Sequence, residues 1–207
     1  MTLMALARDE RADLADFLTT LSPEQWETPS LCAGWRVRDV VAHAISYEEL
    51  DFRGLARRMA AGGFHPDRAN QVGVDELRDL GTDELVALLR RHLTPRGLTA
   101  WFGGTIALTD CVIHHQDIRR ALGLPRPVPA ARLRPVLRAA LAAPQVGGAW
   151  RTRGLRLVAT DLRWSAGFGP EVTGPAEPLL MAIAGRRGVV GELSGPGVPK
   201  LSARIEG

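Results

Sequence analysis

Thr109-Asp110-Cys111-Val112-Ile113-His114-His115-Gln116-Asp117 is the stretch on which the fold turns. It lies inside a run over about 103–122 that reads as one helix, closed by Gly123 with Pro125 and Pro127 beyond it. On a helix, a step of four places Asp110 and His114 on one face, one above the other. A carboxylate and an imidazole stacked in this way can hold a divalent ion if a neighbouring helix adds a third ligand. The candidate is His43, at the end of Trp35-Arg36-Val37-Arg38-Asp39-Val40-Val41-Ala42-His43. Three protein ligands with one open position is the arrangement of a catalytic rather than a structural metal site. Neutral imidazole and carboxylate suit zinc, nickel, iron or manganese, and spacing does not choose among them. The same spacing also describes a surface pair with a core histidine nearby, so both readings stand at this level.

The neighbours carry paired readings as well. Asp117 is placed either to orient His114 as an acceptor or to pair with Arg36 or Arg120, and Asp39 invites the same choice beside His43. His115 points about 100° away from His114. Tyr47, four residues after His43, and Trp35, which begins the same helix, are candidates to line its cavity. Trp26 and Trp101 read as packing residues, and His65 and His92 as surface ones. Arg186 could clamp a carboxylate bidentately. Cys32 and Cys111 read as reduced thiols, because two cysteines make no disulfide framework in a chain of 207 residues.

Outward from this stretch, residues 3–22 have a helical period that Ser22-Pro23 stops. A second helix is expected from Arg36 to about Ala61, then mixed, loop-rich sequence over 64–81 with a short helical turn near 74–80. Thr82-Asp83-Glu84-Leu85 opens a third helix that ends near Leu93. With the helix over 103–122 these predict an antiparallel four-helix bundle. A fifth helix over Pro129–Ala143 and a linker over 142–148 follow. Composition then changes: Leu155–Thr160 and Arg163–Ala166 read as strands around an Asp161 turn, Ala176–Ala184 as a short apolar helix, and Val189–Leu193 and Leu201–Ile205 as terminal strands. The expected division is a bundle over 1–145 and a small α+β region over 149–207.

The charge balance excludes several classes. There are 26 cations against 23 anions, with no run of five like charges, so a nucleic-acid stripe or a DNA-binding regulator is not expected. Lys200 is the only lysine, and the Arg, Ala, Gly and Pro bias is that of GC-rich coding. Arg8, Asp9 and Glu10 interrupt the N-terminus, so no secretory leader is expected, and no stretch reaches the roughly 18 apolar residues of a membrane span. A cytoplasmic setting follows as the expectation. Dinucleotide, Walker and nucleophile-elbow patterns are missing from the sequence.

Trp26, then Pro29-Ser30-Leu31-Cys32-Ala33-Gly34 running into Trp35–His43, then Asp110–Gly123, together resemble the actinobacterial mycothiol-dependent maleylpyruvate isomerase family, part of the wider DinB-like metalloenzymes. Ala159–Pro170 and Gly174–Arg186 look like the tail of these proteins. The resemblance implies a DinB-like bundle with a C-terminal domain similar to sterol carrier proteins. It implies one divalent metal, usually zinc, held at the positions of His43, Asp110 and His114, and mycothiol as thiol cofactor, with an electrophilic small molecule as substrate and a monomer or homodimer as the assembly. His43 and Arg186 would then serve catalysis, and Trp35, Tyr47 and Arg186 the thiol. One position departs: the characterised isomerase type has glutamate where this chain has Asp110, one methylene shorter. The implied function is a metal-dependent thiol transferase or cis-trans isomerase. The alternative is a non-catalytic, ligand- or partner-binding DinB-like scaffold with a degenerate metal site.

Overall fold

The structure is a computed structural model describing residues 1–48 and 50–207. The chain divides into two compact units, Met1–Arg126 and Pro127–Gly207.

In the first unit, α1 (Leu3–Leu18), α3 (Val37–Ile45), α6 (Thr82–Arg91) and α7 (Trp101–Ala121) build a four-helix bundle, in which α1 and α3 each pack on α6 and α7. Their apolar stripes meet in a core that includes Leu14, Leu18, Val37, Val40, Val41, Leu85, Leu89 and Ile118. Thr2 caps α1 by accepting from Ala5 N, and the Glu84 carboxylate accepts from Gly81 N at the start of α6. The short α2 (Pro23–Trp26) carries a capping box made by Ser22 and Gln25. These caps explain why the charged N-terminal sequence is helical although its ends are exposed.

Two expectations fail in the middle of this unit. The helix read through to Ala61 is broken into α3 and α4 (Phe52–Ala61). The break arises because Glu48 turns inward: its carboxylate meets the Arg11 guanidinium and accepts from the Thr99 hydroxyl and Arg96 N. Asp51 then caps α4 by accepting from Gly54 N. The segment read as mostly loop contains α5 (Pro66–Asp75), which starts with proline in its first turn. Gly73 explains how α5 docks, since a Cβ there would stand 2.7 Å from Ser46 Oγ and 2.9 Å from Arg58 Nη1. Its small, polar sequence hides the helical period. At the head of α7, Phe102, Gly103 and Gly104 have left-handed φ of 54°, 68° and 91° before the regular helix begins.

In the second unit, α8 (Ala130–Ala142), α9 (Gly148–Thr152), α10 (Ala176–Ile183) and α11 (Val198–Ile205) accompany a three-stranded sheet. The sheet order is β2 (Ser165–Gly167), β1 (Arg156–Ala159), β3 (Glu171–Gly174). Leu157 pairs with Ala166 antiparallel and with Val172 parallel. The two expected strands are present, and β3 adds a third in a stretch that was not expected to be a strand. α10 is buried along nearly its whole length, as its apolar composition requires, and Asp161 Oδ1 accepts from Ala176 N at its start. Both expected terminal strands are corrected. Val189–Glu192 is a 3-10 turn following left-handed Gly188. Leu201–Ile205 lies in α11, where Pro199 in the first turn and the four-residue spacing of buried Leu201 and Ile205 mark a helix. The segment read as a linker runs into α9, and α8 falls in the second unit rather than with the bundle. Among the described residues no helix is long and apolar enough to cross a membrane.

Candidate metal centre

α3 and α7 pack against one another, and the stripe that buries Val37, Val40 and Val41 carries His43 toward α7. His43 Nε2 lies 3.7 Å from Asp110 Oδ1, and His114 Nε2 lies 3.3 Å from the same oxygen. One donor atom from each of the three falls within 4.8 Å of the others. The two imidazoles meet edge to face, with centroids 5.0 Å apart and planes at 86°. Tetrahedral ligands at zinc distances stand about 3.3 Å apart, so the two edges to Asp110 are within a few tenths of an ångström of that spacing, and the third, within 4.8 Å, can close by side-chain rotation. Both histidines are buried, whereas the Asp110 side chain is 37% exposed and leaves one side open. The shorter carboxylate of Asp110 therefore still reaches both rings.

The surroundings fix the rings. His114 Nδ1 stands 3.0 Å from Asp117 Oδ2, and the Cys32 thiol donates to that same oxygen at 3.1 Å. His114 Nδ1 donates to Asp117, and its Nε2 faces Asp110, where an ion would take the place of the Nε2 proton. His43 is held by aromatic packing instead. Trp35 lies 4.9 Å away at a tilt of 44°, and Tyr47 5.8 Å away edge-on. His43 Nδ1 is buried and has no hydrogen-bond partner among the described residues. The aromatic rings are themselves tied to α5: Trp35 Nε1 donates to Gln71 Oε1 at 2.9 Å, and the Tyr47 hydroxyl donates to Asn70 Oδ1 at 2.6 Å. The Arg58 guanidinium covers the Tyr47 ring at 4.9 Å.

Electrostatics separates the two imidazoles. Burial holds His43 below the ordinary histidine range, with Asp110 offsetting only part of this. Burial also opposes the charge on His114, but Asp110 and then Asp117 and Cys32 outweigh it and raise its pKa well above the usual value. Asp110 itself is pulled below the usual carboxylate range, because the two imidazoles overcome the upward push of burial. His43 is thus a neutral donor, while His114 keeps a proton that a cation must displace.

The other sequence candidates are placed as follows. Asp117 orients His114; Asp39 accepts from Arg36 N and Nε at the start of α3 and has no part in holding His43. Arg36, one of the two surface partners expected for Asp117, pairs with Glu27 and Asp39. Trp26 is core, Trp101 is 45% exposed rather than packed, and Cys111 is buried. His65 is exposed, but His92 is buried, contrary to its surface reading, and its backbone carbonyl accepts from Arg11. His115 belongs to another cluster, with Glu10 and Arg119. Arg186 lies in the second unit, half-buried, with Nη1 donating to Ala184 O. Cys32, Asn70 and Gln71 were not picked out from the sequence. Cys32 stood within the quoted loop, but nothing in its spacing tied it to Asp117. The other two lay in the stretch read as loop.

A four-helix bundle that brings two imidazoles and a carboxylate together from facing helices, in a chain that also has a small α+β unit, defines a DinB-like fold. Residues 7–102 match the family described as the mycothiol maleylpyruvate isomerase N-terminal domain. The match includes His43 and stops short of Asp110 and His114. Two solved structures share the fold. One is a mycothiol-dependent maleylpyruvate isomerase with 16% identity and a TM-score of 0.56, covering 94% of this chain and 91% of its own. The other is such an isomerase with one histidine replaced by alanine, with 17% identity, a TM-score of 0.55 and the same coverages. No curated protein sequence matches the chain.

Proposed function

We propose that this protein is a divalent-metal-dependent enzyme that uses a low-molecular-weight thiol, mycothiol, in a cis-trans isomerisation or thiol transfer. The observation that carries this reading is the convergence of His43 Nε2, Asp110 Oδ1 and His114 Nε2 on a partly open point in a chain whose residues 7–102 match this family. Two nitrogens and one carboxylate oxygen suit zinc. An ion held there supplies Lewis acidity that favours the thiolate of a bound thiol, the nucleophile both reactions need.

The chain's own groups do the rest. Asp117 keeps His114 in one orientation, and Trp35 and Tyr47 hold His43 without a hydrogen bond. The exposed edge of Asp110 marks the side from which thiol and electrophile approach. Burial keeps Tyr47 a neutral phenol. Arg186 is the proposed anchor for a carboxylate of thiol or substrate. Burial, and then the charge of Arg186, lowers the pKa of Arg151, so two cations compete in that part of the second unit and an anion would relieve them. The partners are small molecules and not nucleic acid, and the setting is the cytoplasm.

Zinc content and turnover test this together. Purified protein is expected to bind near-stoichiometric zinc and to convert a conjugated cis substrate such as maleylpyruvate only when mycothiol is added. His43→Ala is expected to weaken zinc binding at least tenfold and abolish turnover. Zinc-free, inactive wild-type protein would leave the scaffold reading in its place.

A further inference from the structure

His114 has a second set of neighbours on its opposite nitrogen, and nothing in the proposed reaction uses them as ligands. Cys32 Sγ lies 3.6 Å from His114 Nδ1 and 3.1 Å from Asp117 Oδ2, and Nδ1 lies 3.0 Å from that oxygen. Thiol, imidazole and carboxylate thus form a second compact triangle whose donor atoms fall within 4.8 Å of one another. We propose that Cys32, Asp117 and His114 Nδ1 form a second metal position, selective for a thiophilic divalent cation of the cadmium type and mutually exclusive with the set on His43 and Asp110.

Three physical points support this. The first is size. A triangular face of one sulfur, one nitrogen and one oxygen around a tetrahedral ion of zinc size has edges of about 3.3–3.6 Å, so the observed edges open by a few tenths of an ångström for zinc and by somewhat more for the longer bonds of cadmium. The second is charge. Both hydrogens that now point at Asp117 Oδ2, the thiol proton and the Nδ1 proton, leave for solvent as one dication enters, so the net charge of the cluster does not change. That matters because the Asp117 side chain is fully buried and an added charge there would go unsolvated. The third is selectivity. A thiolate favours a soft ion, whereas the set on His43 and Asp110 has no sulfur. Cys32 is only partly buried, which gives the ion a way in.

Exclusivity follows from the imidazole itself. A neutral ring has one lone pair in its plane. When Nδ1 binds the inner ion, Nε2 must carry the proton, and it then donates toward Asp110 Oδ1, 3.3 Å away. The outer set loses a ligand, so the inner ion inhibits whatever the outer one supports. This inference does not rest on the reaction proposed above, because its ligands Cys32 and Asp117 lie outside the outer set.

Cadmium titration of metal-free protein tests it. The expected result is one cadmium ion per chain, with near-ultraviolet-side sulfur-to-cadmium charge-transfer absorption in wild type and in His43→Ala, and none in Cys32→Ser. Stoichiometric cadmium is also expected to slow alkylation of Cys32 in wild type at least tenfold, read peptide by peptide, with buried Cys111 as the internal control. Zinc affinity of the wild type should fall as cadmium fills. Charge-transfer absorption that persists in Cys32→Ser, that vanishes in His43→Ala, or that never appears in wild type overturns the proposal. The alkylation arm needs no substitution, so unprotected Cys32 overturns it even if the serine variant does not fold. Failure here leaves zinc binding at His43 and turnover with mycothiol untouched, and failure of those leaves the cadmium result untouched.

Discussion

At the residue scale, two adjacent histidines do opposite things. His114 Nδ1 gives its proton to Asp117, so the ring is aimed by a buried carboxylate. Asp117→Ala is expected to weaken zinc binding about 10–100-fold while helix content stays unchanged, as measured by chelator competition and circular dichroism. His115 is wholly buried between Glu10 and Arg119, and Arg119 Nε donates to its Nε2 at 2.9 Å. That nitrogen must therefore be unprotonated, and Nδ1 donates to Glu10 Oε1. Burial, with Arg126 and Arg119 adding to it and Glu10 opposing it, lowers its pKa to about 4. The unfolded chain takes up this proton near pH 6.5, the folded one only near 4, so the stability from neutral His115 is complete above about 6.5 and is lost as pH falls toward 4. The loss is on the order of 3 kcal/mol. Urea unfolding at pH 7 and pH 4.5 should show it, and His115→Gln should flatten the difference.

At the element scale, the helices that carry the site declare themselves and the helix that supports it does not. The periods of α1, α3 and α6 are visible because each buries an apolar stripe in the bundle core, whereas α7, buried on nearly every side from Ala107 to Ile118, shows itself by its length and its Gly123 stop. The step from Asp110 to His114 is legible because four residues make about one helical turn. What the sequence left open was whether His43 met them, since that depends on how two helices pack. Helix α5 has little hydrophobic signature because, of the residues it buries, Ala69 and Gly73 are small and only Val74 is a large apolar one. Docking at Gly73 is correspondingly tight. Gly73→Val is expected to cost about 1–3 kcal/mol through overpacking against Ser46 and Arg58, read as a lower urea midpoint. The expected terminal strands differ from the structure because a short apolar run fits either period, and Pro199 in the first turn of α11 decides for a helix.

At the scale of the whole molecule, the proposed metal binding would be coupled to folding. Zinc at about 100 times its dissociation constant should stabilise the chain by about 2.7 kcal/mol, visible as a rise in Tm. More than half of the rise should be lost in His43→Ala. Because the raised pKa of His114 makes a proton the ion's competitor, the rise should be larger at pH 8 than at pH 6. The support from α5 has a wider consequence. Asn70 and Gln71, adjacent on α5, bond to Tyr47 and Trp35, the two rings that pack on His43. The tilt of one imidazole is thus set by two amides on an outlying helix. Exchanging those amides offers a way to retune reactivity while leaving every ligand and every core side chain in place.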